Sequence, residues 1–415
     1  MSATTLNRNS PIGTSTFTLG WLLDSLQRHD EVYQTRHASK IATKVTSNNV
    51  AEGKGISGKV YRITLHFGDT SSYSTILKVP GSDKLMAITE NTEGGVNDIC
   101  AQWDAYNETS HAFECKFMTE LAPKLDIPMP KAFSTQLWSR AKNIQGCIHM
   151  SDLTDLGTTT GLWMSVTLGQ VNTVLRHLVK MHADVLCLDR SSWEGQYVKN
   201  QTAMSIMCSN YLVDVERVRK MDFCKERVNH LLDRVGTLPS NKKFVDWAHT
   251  DVYKNLKMRP VIAFGDLHSN NLLWAYNAHG DTTDTVAGFI DFQLVHEGSP
   301  MNDLSRFLSL SADGIIRRKA EETIFTDYHK LLSAELESVG IEMPYTVKDL
   351  KTAYEYMFIA QAPQWVTING SFMGSLAESE PACVDVARLR MIHCLEDVAG
   401  LLEGEYKHLK EQFST

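Results

Sequence analysis

The stretch Val261–Arg306, VIAFGDLHSNNLLWAYNAHGDTTDTVAGFIDFQLVHEGSPMNDLSR, decides how this chain is read. Two carboxylates, Asp266 and Asp291, each follow a short apolar run, and Asn271 lies five residues after Asp266. Short apolar runs bounded by turn residues read as buried strands, and a polar residue at the end of one is held at the rim of the core. Asp281 and Asp284 lie in the polar turn between the runs. A hairpin is therefore expected, bringing Asp266, Asn271 and Asp291 to one end of one small sheet. Asp and Asn also cap ordinary turns, so each residue alone says little and the joint spacing carries the reading. An Asp-Asn-Asp set supplies oxygen ligands for a hard cation such as Mg²⁺, and one of the carboxylates can face a substrate hydroxyl as a base.

The 415 residues, 43% of them hydrophobic, suffice for two or three domains or one bilobal unit. A net charge of −8 gives no electrostatic case for nucleic acid, and an anionic substrate such as ATP needs local cations. The N-terminal residues lack the basic and apolar regions of a signal peptide, and no apolar run is long enough to cross a bilayer. Eight scattered cysteines without a C-x-x-C pattern read as reduced thiols. A cytoplasmic protein without membrane insertion is expected.

Upstream, residues 1–49 read as an extension with one short amphipathic helix near Leu19–Leu26. Gly53, Gly55 and Gly58 form G-x-G-x-x-G, followed by the alternating Tyr61, Ile63, Leu65 and Phe67 of a half-buried strand. A nicotinamide-binding glycine motif opens a helix; one that opens a strand suits a phosphate-covering lid. Lys78 sits within the apolar strand STILKV, either snorkelling from an edge or facing phosphates beside an acidic partner. Glu114 flanks the helix face of Phe113, Phe117 and Leu121, with Glu120 as the competing partner. A strand near Ile144–Met150 precedes the joint between lobes. The rest reads as helical. His182 ends an apolar helix face and reads as a buried core residue. Arg317, Arg318 and Lys319 read as a solvated face. Trp193, Trp247 and Trp365 read as pocket walls or core, with core the better reading.

The order of these elements resembles the protein kinase-like fold, in its small-molecule branch of aminoglycoside phosphotransferases and choline kinases. It is most similar to the CHK kinase-like proteins, related to ecdysteroid kinases. The family's H-G-D-L-x-x-N-N-I/L-L-W stands here as Phe264 to Trp274, its I-D-W/F-Q as Ile290 to Gln293, and its G-S/P-P-x-x-D-L-x-R as Gly298 to Arg306. The L-x-x-x-H-A element falls on Leu178 to Ala183, and the resemblance covers residues 50–410. Phe264 departs from the pattern, replacing a histidine.

The resemblance implies an α+β bilobal fold. Residues 50–153 form a small antiparallel-sheet N-lobe that binds nucleotide, and residues 154–415 a larger, mostly helical C-lobe. It implies that Asp266 accepts or orients the proton of a substrate hydroxyl, that Asn271 and Asp291 hold Mg²⁺, and that Lys78, paired with Glu114, contacts ATP phosphates. Gly53, Gly55 and Gly58 would cover the phosphates, and Asp303 would brace the catalytic loop. The activity implied is an ATP- and Mg²⁺-dependent phosphotransferase acting on a small-molecule hydroxyl, sterol-like, xenobiotic-derived or amino-alcohol. The alternative is a catalytically weak pseudokinase serving as a nucleotide-binding or scaffold module, which Phe264 alone suggests. A protein kinase is disfavoured: no A-P-E element follows Asp291, and Asp303 comes within a dozen residues, too few for an activation loop.

Overall fold

The computed structural model describes residues 6–50, 58–81, 96–202, 204–205, 208–373 and 380–414. The chain folds as two compact units. One comprises Met1–Lys124 with Met129–Asp155, the other Leu125–Pro128 with Leu156–Thr415.

Among the described residues the first unit is built on five strands: β1 (Ala42–Asn49), β2 (Lys59–Phe67), β3 (Ser72–Val79), β4 (Ala132–Gln136) and β5 (Cys147–Ser151). They pair in the order β1-β2-β3-β5-β4, every pair antiparallel. The alternation expected along β2 is present, with Tyr61, Ile63, Leu65 and Phe67 buried. That face packs against the helix Leu19–His29 through Leu19, Leu22 and Leu26, with Phe17 and Tyr33 beside them. Thr18 starts the helix by accepting a hydrogen bond from the Trp21 N–H. Asp30 caps the next helix, Glu31–Arg36, at the N–H groups of Val32 and Tyr33, and also accepts from the Tyr73 hydroxyl. Each fully buried leucine here contributes about 1.5–3 kcal/mol.

Because successive strand residues face opposite sides, Leu77 and Val79 enter this core while Lys78 points to the other face. The helix Val96–Lys116 carries Glu114 near its end. The expected glycine motif falls partly outside the described residues, at Gly53 and Gly55. Gly58 is described, and β2 starts directly after it, so the motif does open a strand. Gly58 has φ +128°, and a Cβ there would stand 2.5 Å from the Val79 carbonyl oxygen, so only glycine fits without strain.

Among the described residues the second unit holds two small sheets and most of the helices. β6 (Gly157–Thr158), β8 (Leu272–Tyr276) and β9 (Thr282–Phe289) form one sheet in the order β6-β8-β9. β7 (Val261–Ala263) pairs with β10 (His296–Gly298) in the other. This corrects the expected hairpin. The Val261 run does not pair with the run before Asp291; Leu272–Tyr276 does, and residues 264–271 form a loop joining the two sheets. Asp284 lies within β9, where it accepts a hydrogen bond from the Thr167 hydroxyl.

The helix Leu168–Cys187 begins in a capping box of Thr167 and Gln170 and buries Val171, Val174, Leu175, Leu178 and Val179. His182 is a core residue, its Nδ1 2.8 Å from the Tyr328 hydroxyl. Trp193 and Trp365 are buried too. One member of the basic trio is a second correction, while Arg318 and Lys319 keep side chains 42% and 61% exposed. Arg317 is 1% exposed, stacked 4.6 Å from the Phe358 ring centroid and paired with Glu321 and Asp397. An aromatic face and two carboxylates hold that guanidinium where a charge alone would stay in water. Among the described residues no helix is long and apolar enough to cross a membrane, and no described cysteine forms a disulfide.

Candidate active site

In the first unit, Lys78 donates to both carboxylate oxygens of Glu114, at 2.7 and 2.8 Å. The side chains are 12% and 5% exposed. Two charge-assisted bonds at this depth fix the ammonium in place and make Glu114 rather than Glu120 the partner. Glu120 instead lies 3.9 Å from Lys116 at the surface.

In the second unit, the loop after β7 carries Asp266. Gly265 turns it with φ +86°, and a Cβ there would stand 2.1 Å from the Leu294 carbonyl oxygen. The helix Asn302–Ser311 then holds three consecutive loop residues. The Asp303 carboxylate accepts the Phe264 N–H at 2.6 Å and the Gly265 N–H at 2.8 Å. Arg306, one turn on, donates from Nε and Nη2 to Oδ1 of Asp266 at 2.8 and 2.6 Å. His268 Nε2 lies 3.5 Å from the same oxygen.

These partners set the charge states. Burial raises the Asp266 pKa, but Arg306 and His268 outweigh it and hold the carboxyl well below the usual carboxylate range. Asp303 goes the other way. Burial pushes it up to about 6 against its two backbone donors.

Asn271 closes a short 3₁₀ turn, Ser269–Asn271. Its Nδ2 donates to the Asp266 carbonyl oxygen at 2.9 Å, which turns its Oδ1 away from that contact. The Asn271 carbonyl accepts the Ile290 N–H at 3.0 Å, so the turn lies directly against the end of β9, where Asp291 follows. Asp291 has φ +68°, a left-handed conformation that Asp tolerates better than most residues. Backbone strain of this kind clusters at functional sites. Asp266, Asn271 and Asp291 are thus gathered at one corner of the unit, across two sheets rather than at the end of one.

The oxygens fit a hard cation. Among the described residues no group of three or more His, Cys, Asp or Glu is placed to hold a metal. One carboxylate and one amide oxygen suit Mg²⁺, which usually keeps waters and substrate phosphates as its other ligands.

Phe264 is 1% exposed and packs its ring 4.5 Å from that of Phe292 and 6.0 Å from that of Phe289. Sequence reasoning anticipated Asp303 as a brace but missed Arg306 as a partner of Asp266. The available signal was the D-L-x-R spacing, which puts both side chains on one helix face at i and i+3.

Comparison with known proteins gives a family and a set of distant structural likenesses. The DUF1679 family model, described as "Uncharacterized oxidoreductase dhs-27", matches residues 29–404. The Caenorhabditis elegans protein of that name is 22% identical over 362 residues, which is 85% of this chain and 42% of the relative. The chain therefore spans less than half the length of that relative. Choline kinase from Cryptosporidium parvum is similar at TM-score 0.48 and 10% identity, with 95% of this chain and 99% of that one covered. A GDP complex of an aminoglycoside 2′-phosphotransferase variant is similar at TM-score 0.45 and 13% identity, with 90% and 97% covered. Scores at this level carry no argument about chemistry, which must come from the residues.

Proposed function

The chain belongs to the DUF1679 family, a CHK-like family, and we propose that it is an ATP- and Mg²⁺-dependent phosphotransferase acting on a small-molecule hydroxyl. The observation that carries this reading is the corner of Asp266, Asn271 and Asp291, with Asp266 kept ionised by Arg306. The buried Lys78–Glu114 pair supports it independently. Phosphoryl transfer asks little of the protein beyond positioning and charge neutralisation. These side chains supply that: an ionised acceptor for a hydroxyl proton, oxygen ligands, and an oriented ammonium.

Asn271 and Asp291 would hold Mg²⁺, which neutralises charge on the phosphates when bound. Asp266 orients the acceptor hydroxyl. Its depressed pKa makes it a weak base, so it takes the proton only as the hydroxyl oxygen bonds to the γ-phosphorus and becomes acidic. The bond from that phosphorus to the β-phosphate oxygen breaks, and ADP leaves. Lys78, held by Glu114, contacts the α- and β-phosphates. Gly58 marks the start of the strand behind the glycine segment, and Gly53 and Gly55 complete the proposed cover. The acceptor is a sterol-like, xenobiotic-derived or amino-alcohol compound, and the site works in the cytoplasm.

The relative's name points to an oxidoreductase, but this chain matches only 42% of that protein. Among the described residues every strand pairing is antiparallel, which leaves no parallel βαβ unit of the dinucleotide-binding type. The pseudokinase reading rested on Phe264. Asp303 grips the loop through backbone N–H groups, which any residue at 264 except proline provides.

The test is incubation of the full chain with Mg-ATP and a metabolite extract. A phosphate adduct found by mass should be absent with Asp266→Ala. Equal adduct formation by both proteins would remove the assignment.

A further inference from the structure

We propose that Arg306 is a positioning residue for Asp266, holding the carboxylate by one oxygen so that the other is presented to the acceptor hydroxyl. The inference rests on the reading of Asp266 given above and deepens it.

The geometry is specific. Arginine usually meets a carboxylate with two parallel bonds, one to each oxygen. Here both Nε and Nη2 converge on Oδ1, at 2.8 and 2.6 Å. His268 Nε2 approaches the same oxygen. No described residue donates a hydrogen bond to Oδ2, and the Asp266 side chain keeps 15% of its surface exposed. One oxygen is saturated from the protein side, and the other keeps its lone pairs for a ligand.

Arg306 itself cannot reach a substrate. It is 4% exposed, and its remaining nitrogen, Nη1, donates to Gln364 Oε1 at 2.7 Å. That contact belongs to a line of three between the 302–311 helix and the bend at 361–365. Gln361 Nε2 donates to Asn302 Oδ1 at 2.9 Å, and Trp365 Nε1 donates to the Ser309 carbonyl at 2.7 Å. Asn302, Arg306 and Ser309 stand at i, i+4 and i+7, one face of the helix. Arg306 is thereby pinned at both ends: Gln364 fixes the guanidinium plane, and the guanidinium fixes Oδ1. Rotation of the Asp266 carboxylate would have to break two buried charge-assisted bonds.

A group that acts only through Asp266 has a kinetic signature. Misplacing a reacting group by about 1 Å costs about 100-fold in rate. The probe is Mg-ATP with water as acceptor, read as γ-phosphate release by the full chain. R306Q should lower kcat by about 10- to 100-fold while KM for Mg-ATP moves less than about twofold. R306K should recover part of the loss, since an ammonium restores the charge without the paired Nε and Nη2 geometry. In a D266N background, R306Q should cause no further fall, because the oriented oxygen is already gone. Should R306Q and R306K fail to fold, Q364A replaces them: it releases only Nη1 and should lower kcat by about 2- to 10-fold.

The outcomes separate the two ideas. Wild-type kcat in R306Q, or the same factor of loss in the D266N and wild-type backgrounds, overturns the positioning role and leaves Asp266 in place. Unchanged kcat in Q364A overturns it where the arginine variants do not fold. Wild-type kcat in D266N, or no γ-phosphate release by the wild type, overturns the phosphotransferase reading itself.

Discussion

Replacing Asp303 with alanine gives a prediction whose magnitude depends on pH. The carboxylate accepts two backbone N–H groups, from Phe264 and Gly265, and is 1% exposed. Alanine leaves both donors buried without partners, at about 1–3 kcal/mol each. Against that stands the cost of keeping the carboxyl ionised in the fold. Its pKa rises from 3.8 to about 6 on folding. A folded pKa above the unfolded value means the folded state binds the proton more tightly. The contribution is complete below the unfolded pKa and is lost as pH rises through the folded one. For a single group with these two values, the loss between about pH 4.5 and about pH 7 is ~2 kcal/mol. The destabilisation caused by Asp303→Ala should therefore be about 2–6 kcal/mol near pH 4.5 and smaller by ~2 kcal/mol near pH 7. Urea unfolding of wild type and variant across that range, followed by tryptophan fluorescence, measures the difference directly. A penalty that is flat with pH, or that grows as pH rises, would refute the account of Asp303 as a carboxyl forced to ionise in the core.

Two further substitutions have outcomes set by the contacts they remove or create. Lys78→Met leaves the Glu114 carboxylate buried beside a thioether, and breaking such a pair costs about 3–5 kcal/mol. The variant should also lose most of the thermal stabilisation that wild type gains from Mg-ATP, and an undiminished shift would separate Lys78 from nucleotide binding. Gly265→Ala places a Cβ at 2.1 Å from the Leu294 carbonyl oxygen at φ +86°. It should lower stability by at least about 1–3 kcal/mol in urea unfolding, more than an alanine substituted at Gly280, where φ is also positive but nothing stands within 4 Å.

The parts of the fold that were legible are those where one chemical pattern has one structural solution. The alternation in β2 gave its buried face, and the apolar spacing from Val171 to Val179 gave a helix. The Lys78–Glu114 pair was readable because a lysine inside an apolar strand needs an acid. What failed was the choice of partners. Val261–Ala263 is wholly buried and pairs with His296–Gly298, a polar tripeptide that hydropathy would not place in a core. That segment is buried because its polar groups are satisfied. His296 Nδ1 sits 2.8 Å from the Leu294 carbonyl, and Glu297 accepts the N–H groups of Gly195 and Tyr197. Arg317 was misread for a related reason. Charge alone argued for solvent, while Phe358, Glu321 and Asp397 are distant in sequence. Side-chain period reports which face is buried, not which polar groups elsewhere will meet it.

The same distinction explains why Phe264 proved less informative than its departure from the family pattern suggested. A residue just before a catalytic carboxylate can hold the loop through its side chain or through its backbone. Here the backbone does it, since Asp303 takes the N–H groups of residues 264 and 265 and Arg306 takes the side chain of residue 266. The side chain at 264 is left to pack, and a phenyl ring against Phe292 and Phe289 does so without adding a polar atom that burial would have to satisfy. The integrity of the corner therefore depends on the helix that follows it, through two residues three positions apart. Loss of Asp303 or Arg306 is the change that would release the loop around Asp266, and both are present.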